Sequence, residues 1–267
     1  MTVSKDLKNT PLVIFAGGRG TRIADVSYGV PKPMLLVGKY PIIMWIMKHY
    51  STFGINNFVI LSGYRREYIC QYFGNLPIQG SVVQIRNGNL QAQKTSEEFK
   101  DWNITIIDSG LDTPTGERLK YAEPFIESHN FFCTYGDSLS NVDLNELKTE
   151  HDQSGFMHTL TVAKPQSRYG EVEFDKLTKK VTSFREKPIL ANTVNVGNFI
   201  FSKSVFSDLK VGEMLENEPL NRLIARNQIG AFEHSGFWQP IDTARELLLA
   251  NDLANSGKFP WINDDPS

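Results

Sequence analysis

The stretch LVIFAGGRGTR, Leu12 to Arg22, decides how the chain is read. Five apolar residues without polar alternation suit a strand buried on both faces, as in a parallel sheet packed between helices. The glycines that follow at once let backbone N–H groups converge on an anion with no side chains in the way. A Walker loop would need Gly, four residues, Gly, Lys and Ser or Thr, and a dinucleotide fingerprint would need a third glycine where Ile23 stands. Neither pattern is present. Two cations flank the loop: Arg22 within it, and Lys32 beyond it between Pro31 and Pro33. The prolines restrict the backbone and so hold the lysine at a defined angle. A triphosphate cradle is the expected use, with an ordinary strand-to-helix turn as the plainer alternative.

Outward from this loop, Ile42, Ile43, Ile46, Met47 and Tyr50 recur at helical spacing before Gly54, which predicts an amphipathic helix. Phe58 to Leu61 reads as a second strand, Arg65 to Phe73 as a second helix and Val82 to Ile85 as a third strand. That βαβαβ order implies an α/β fold with a mainly parallel sheet and ligands at the carboxyl ends of its strands. Asn87 to Lys100 is polar and aperiodic, a loop or flap. Ile104 to Ile107 and Phe131 to Tyr135 are further strands, the latter leading into Asp137, and Val142 to His151 is a helix. Thr159 to Ala163, Glu171 to Phe174, Val181 to Phe184 and Phe199 to Phe201 suggest a β-rich, antiparallel or mixed extension. Helices around Leu215 to Arg226 and from Thr243 to Ser256 follow. Residues 1–10 are expected as a disordered lead and 11–267 as a single domain.

The chain has 267 residues, with 28 Lys and Arg against 30 Asp and Glu, so a net charge of -2 leaves no basic footprint for nucleic acid or an anionic membrane. Its longest apolar runs, Pro11 to Ala16 and Pro41 to Met47, fall far short of the roughly 20 residues of a membrane helix. The start, MTVSKDLKNT, lacks the apolar core of a signal peptide, so a cytoplasmic protein is expected. Cys70 and Cys133 have no CxxC spacing and are expected as core thiols.

AGGRGTR followed by PKPM resembles the signature of sugar-1-phosphate nucleotidyltransferases. WNITIIDSG, TGERLK, TYGD, REKP, NVGNF, EHSGFWQPIDT and GKFPW are similar, in order, to segments of glucose-1-phosphate cytidylyltransferases, from about Leu12 to Trp261. The resemblance implies a Rossmann-like mixed sheet, with a nucleotide half at about 11–140 and a sugar-phosphate half at about 141–267. It also implies cytidylyl transfer from CTP to a sugar 1-phosphate, glucose 1-phosphate first, in the making of CDP-glucose for deoxysugar or surface polysaccharide synthesis. Ala16, Gly17, Gly18, Gly20, Thr21 and Arg22 would then hold the triphosphate, with Lys32 and Arg118 near the phosphates and Thr115 and Gly116 near the base. Asp137 and Asp242 would hold Mg²⁺, while Tyr135, Gly170, Glu186, Lys187 and Asn195 would take the sugar phosphate. A homo-oligomer is implied as well. The sequence departs from the family at Val30, Glu117, Ser138, Glu171, Val196 and Asn198, and Val196 and Asn198 are expected to flank the sugar pocket.

The implied reaction suits these residue types. A sugar phosphate has its second ionisation near pH 6 and is already a dianion at neutral pH, so no general base is required. The obstacle is repulsion between that dianion and the triphosphate. Arg22, Lys32, Lys187 and Mg²⁺ would offset it. Asp137 equally suits a turn, and Asp242, just before Thr243 and the last helix, equally suits an N-cap. Pro188 is expected to hold Lys187 extended. Two other readings remain open: a different sugar or base, and a nucleotide-sugar-binding module without turnover.

Overall fold

The computed structural model describes residues 5–23, 27–76, 83–86, 89–92 and 99–262. The chain enters through one helical turn, α1 (Lys5–Lys8), whose Leu7 is fully buried, so this part of the expected disordered lead is ordered against the core. Strand β1 (Leu12–Ala16) follows with all five side chains buried. Because side chains alternate along a strand, Leu12, Ile14 and Ala16 join one hydrophobic layer while Val13 and Phe15 join a second on the opposite face of the sheet.

After the short ribbon β2 (Leu36–Val37) and β3 (Tyr40–Pro41), helix α2 (Ile42–Thr52) fills the first layer and stops at Gly54, whose φ of +82° supplies the left-handed turn. The helix is not amphipathic, as the spacing predicts, but buried on nearly every side. The cause is at the chain's far end: Phe259 and Trp261 pack on Trp45 with ring centroids 5.0 and 5.7 Å away.

Strand β4 (Asn57–Ser62) and helix α3 (Arg66–Asn75) come next. The expected third parallel strand does not follow. Residues 83–86 instead form β5 (Val83–Arg86), half of a hairpin with β6 (Asn89–Ala92), which itself lies in the stretch read as a loop. The third strand is β7 (Asn103–Asp108), parallel to β4. Then come α4 (Thr115–Lys120), β8 (Asn130–Tyr135), β9 (Ser138–Ser140) and α5 (Leu144–Ser154), the last capped by Asp143 and ended by Gly155. Strand β10 (His158–Ala163) precedes the hairpin of β11 (Glu171–Phe174) and β12 (Val181–Arg185), and the chain returns through β13 (Val194–Ser202). Helix α6 (Glu218–Ala225), β14 (Ile229–Glu233), β15 (Trp238–Pro240) and α7 (Ala244–Asn255) complete it.

The central sheet runs β14-β10-β13-β8-β1-β4-β7. All of its strands share one direction except β13, which pairs antiparallel with both β8 and β10. The result is a Rossmann-like mixed α/β fold. Six carboxyl strand ends and the amino end of β13 therefore open along one edge, the position where such sheets bind ligands.

Candidate active site

At that edge β1 gives way to Gly17–Gly20 and a 3₁₀ turn, Thr21–Ile23, beginning with an exposed Thr21. The glycines differ in what they face. A Cβ on Gly17 would stand 1.7 Å from Arg118 Nη1, whereas one on Gly18 would meet nothing within 4 Å. Gly20 has φ +59° and leaves 3.2 Å to Lys32 Cβ, so the loop turns there and admits the lysine stem. The side chain of Arg22 lies outside the described residues.

Lys32 starts a short 3₁₀ turn, Lys32–Met34, behind Pro31, and is only 9% exposed. Its ammonium donates to Asp137 Oδ2 at 2.8 Å and Asp242 Oδ1 at 2.5 Å. Burial alone would lower the lysine's pKa, but the two carboxylates outweigh it and the net shift is upward. Asp137 is positioned through Gly136, where a Cβ would stand 2.8 Å from the Phe15 carbonyl, so only glycine lets the chain turn this close to β1. Asp242 arrives from far along the sequence because β15 pairs with β9, and Ile241 N–H then donates to the Asp137 carbonyl at 2.9 Å.

Asp242 is not the N-cap. Thr243 caps α7, in a capping box whose Glu246 carboxylate accepts from the backbone N–H of both Asp242 (2.8 Å) and Thr243 (2.9 Å). That Thr-x-x-Glu spacing stands in the sequence and was the available signal for Glu246, a residue the sequence reading passes over. Glu246 also meets Arg168 at 3.2 Å, joining α7 to the segment before β11.

Beside the glycine loop, Arg118 is internal. It donates to the Ser62 and Thr113 carbonyls and to Ser109 Oγ, bracing the ends of β4 and β7 beneath Gly17. Burial lowers its pKa, with Asp108 and Asp112 acting in the opposite sense. Thr115 Oγ1 donates to Glu216 at 2.6 Å and accepts from Leu215 N–H, and Gly116 N–H donates to the Glu213 carbonyl, so both residues dock on the 213–216 segment. Glu216 also accepts a short hydrogen bond from Tyr135, whose ring lies over Gly197. Burial first and Glu216 second push the Tyr135 pKa well up. No pattern in the sequence marks Glu216.

On the other side, Gly170 lies against Glu186, whose carboxylate is 3.6 Å from the Lys187 ammonium. Lys187 is not extended as Pro188 predicts: its φ is +45°, in the left-handed region. Backbone bonds from Ser167 N–H to the Pro188 carbonyl and from Leu190 N–H to the Pro165 carbonyl over-determine that turn. Asn195 is exposed at the amino end of β13, and its Oδ1 accepts from Gly197 N–H at 2.9 Å.

Val196 and Asn198 are buried, at 2% and 3% exposure, and Asn198 accepts from Tyr50 and Thr134 inside the core. Glu171 pairs with Arg185 on the hairpin, and Glu117 accepts from Gly212 N–H.

Comparison with known proteins gives the family. The nucleotidyl transferase family model matches residues 12–255. A probable glucose-1-phosphate cytidylyltransferase of Bacillus subtilis is 34% identical over 93% of this chain and 98% of its own length. The glucose-1-phosphate cytidylyltransferase of Salmonella typhi is 36% identical over 93% and 97%. Among solved structures, an apo UDP-glucose pyrophosphorylase superposes with a TM-score of 0.66 at 17% identity, covering 92% of this chain and 98% of that one, which speaks to the fold. With so much of both lengths matched, the chain belongs to the nucleotidyl transferase family, in its glucose-1-phosphate cytidylyltransferase branch.

Proposed function

We propose that this protein transfers a cytidylyl group from CTP to glucose 1-phosphate, giving CDP-glucose and pyrophosphate. A phosphate oxygen of the sugar phosphate bonds to the α-phosphorus of CTP, and the bond from that phosphorus to the bridging oxygen breaks, releasing pyrophosphate. The observation that carries the reading is the meeting of Lys32, Asp137 and Asp242 beside the glycine loop.

Asp137 and Asp242 would hold Mg²⁺. Among the described residues no cluster of three or more His, Cys, Asp or Glu could hold a metal, but Mg²⁺ commonly takes only one or two carboxylates and completes its shell with phosphate and water. Two carboxylates converging on a single positive charge fit that donor set. When bound, the ion would neutralise phosphate charge and help align the displacement.

The chain's own groups do the rest. Backbone N–H groups around Gly18, the open side of the loop, cradle the triphosphate with Arg22 and Thr21. Lys32 offsets charge near the phosphates. Arg118, held in the floor, keeps the loop in shape. Lys187, Glu186 and Asn195, with Gly170 and Tyr135, bind the sugar phosphate, the ammonium of Lys187 lowering repulsion as the dianion approaches.

Pyrophosphate release measured over a matrix of four nucleoside triphosphates and several sugar phosphates tests the reading. CTP with glucose 1-phosphate is expected to give the highest kcat/KM; preference for another pair would move the assignment within the family, and no release with any pair would leave a binding module.

A further inference from the structure

The lysine assigned to the phosphates and the two acids assigned to the metal are already bonded to one another. Lys32 Nζ lies 2.5 Å from Asp242 and 2.8 Å from Asp137, with its side chain one-tenth exposed. Two of its three ammonium hydrogens are directed at these acids, which leaves one for a phosphate, and a divalent ion arriving at the same carboxylates would repel the ammonium. The acids, in turn, are fixed by backbone: Asp137 by the turn from β8 into β9 and by Ile241 N–H, Asp242 by Glu246. The stem of the lysine is unbranched and rotatable beyond its anchored backbone. Of the three side chains, the lysine has the longest rotatable stem, so its ammonium has the greatest reach.

We propose that Lys32 is the resident counter-ion of Asp137 and Asp242, and that it leaves them for the nucleotide phosphates when a divalent cation takes the two carboxylates. This rests on the transferase reading for the destination of the lysine, but not for its departure. The exchange keeps charge balanced at each stage. With the acids paired internally, they are not left as adjacent uncompensated anions in a partly buried place, which would be costly. Once released, the ammonium meets a polyanion beside the glycine loop, next to Gly20. Metal binding and delivery of the lysine become a single linked event, so each favours the other.

The test needs no turnover. Mn²⁺ binding, followed by electron paramagnetic resonance in the absence of nucleotide, is compared between the wild-type chain and Lys32→Met, which keeps an unbranched stem. Removing the competing ammonium is expected to tighten Mn²⁺ binding about tenfold or more. In the wild-type chain, the rate at which acetic anhydride labels Lys32, read by peptide mass spectrometry, is expected to rise at Mn²⁺ concentrations that saturate the measured binding. Equal or weaker Mn²⁺ binding by Lys32→Met overturns the exchange. So does a labelling rate that saturating metal leaves unchanged, a measurement that does not depend on the variant folding. If both shifts are seen yet no nucleoside triphosphate supports pyrophosphate release, the exchange stands and the transferase reading fails.

Discussion

Lys32 and Lys187 are two lysines beside carboxylates, and the structure treats them in opposite ways. Lys32 is 9% exposed and reaches two acids, each fixed by backbone hydrogen bonds. Lys187 sits on a turn outside the sheet and faces the exposed Glu186 at 3.6 Å, and the segment bonded to that turn at Ser167 meets α7 through the exposed Arg168 side chain. One region is preorganised by the core. The other is held by a local backbone bridge and ion pairs of the kind that contribute little each. The same contrast runs through the whole chain: the polar face of the hairpin β11–β12 carries Arg185 between Glu171 and Glu173, whereas β1 and its neighbours are apolar on both faces.

The most severe way to break the comparison is at the rigid end. Asp137→Asn keeps the side-chain volume and leaves Lys32 one acid instead of two. Because the residue belongs to the sheet edge and not to the core, its fold is expected to persist by circular dichroism while kcat falls on the order of 10³-fold, about 4 kcal/mol. Normal turnover at saturating Mg²⁺ would remove Asp137 from the metal site.

Acid is expected to act almost as strongly, from beneath the same region. Helix α2 packs on the Lys32–Met34 turn, and it contains His49, whose pKa burial lowers to about 4, with the Val142 carbonyl and Asp143 pulling the other way. An unfolded chain takes up this proton near 6.5, so between about 6.5 and about 4 the unfolded state binds more protons than the folded one. The contribution is fully present above 6.5 and is lost as pH falls through that window, by roughly 3 kcal/mol at most. His158 on β10, lowered by burial to about 4, acts in the same sense. Urea midpoints at pH 7 and pH 4.5 check this: equal midpoints would show that neither ring stays neutral in the fold.

Within the glycine loop, neighbouring residues repeat the contrast between packed and open. Gly17→Ala places a methyl group on the Arg118 guanidinium, which is 4% exposed and already donates to three oxygens, so the arginine must break those bonds to move. A loss of about 2 kcal/mol is expected in denaturant melts. Gly18→Ala meets nothing, and its stability is expected within roughly 0.5 kcal/mol of wild type while KM for CTP rises. Equal stability losses in the two variants would mean that Arg118 does not brace the loop.

How much of this was legible in the sequence follows from which forces act locally. The apolar run Leu12–Ala16, its glycines and the strand before Asp137 are local signals, and each element lies where it is read. Partner choice is not local. Residues 83–86 and 103–108 are both strand-like, and only the packed sheet decides that the second lies beside β4. The all-round burial of α2 could not be read from its own spacing, since Phe259 and Trp261 cover it from the far end of the chain. Glu216 is invisible for the same reason: its meaning comes from Thr115 and Tyr135, which the sequence keeps far away. The partner of Asn198 is equally out of reach, because a strand residue's face depends on register, and the β13–β8 pairing sets it against Tyr50.

The smallest effect expected is the most specific to the flexible end. A left-handed backbone costs a side-chain-bearing residue roughly 1–2 kcal/mol, and Lys187 holds one at φ +45°. Replacing it with glycine removes that cost but adds roughly 0.5–1 kcal/mol of chain entropy lost on folding. The difference favours Lys187→Gly by about 0.5 kcal/mol, whereas Lys187→Ala keeps the strain and is expected to leave stability unchanged. Both lose the ammonium, so both should raise KM for the sugar phosphate and leave KM for CTP alone. A variant that gains stability while losing use of one substrate is the mark of strain retained for a side chain's position. If glycine instead destabilises the chain, the turn is not strained, and the adaptable end of the site is built more like the rigid one.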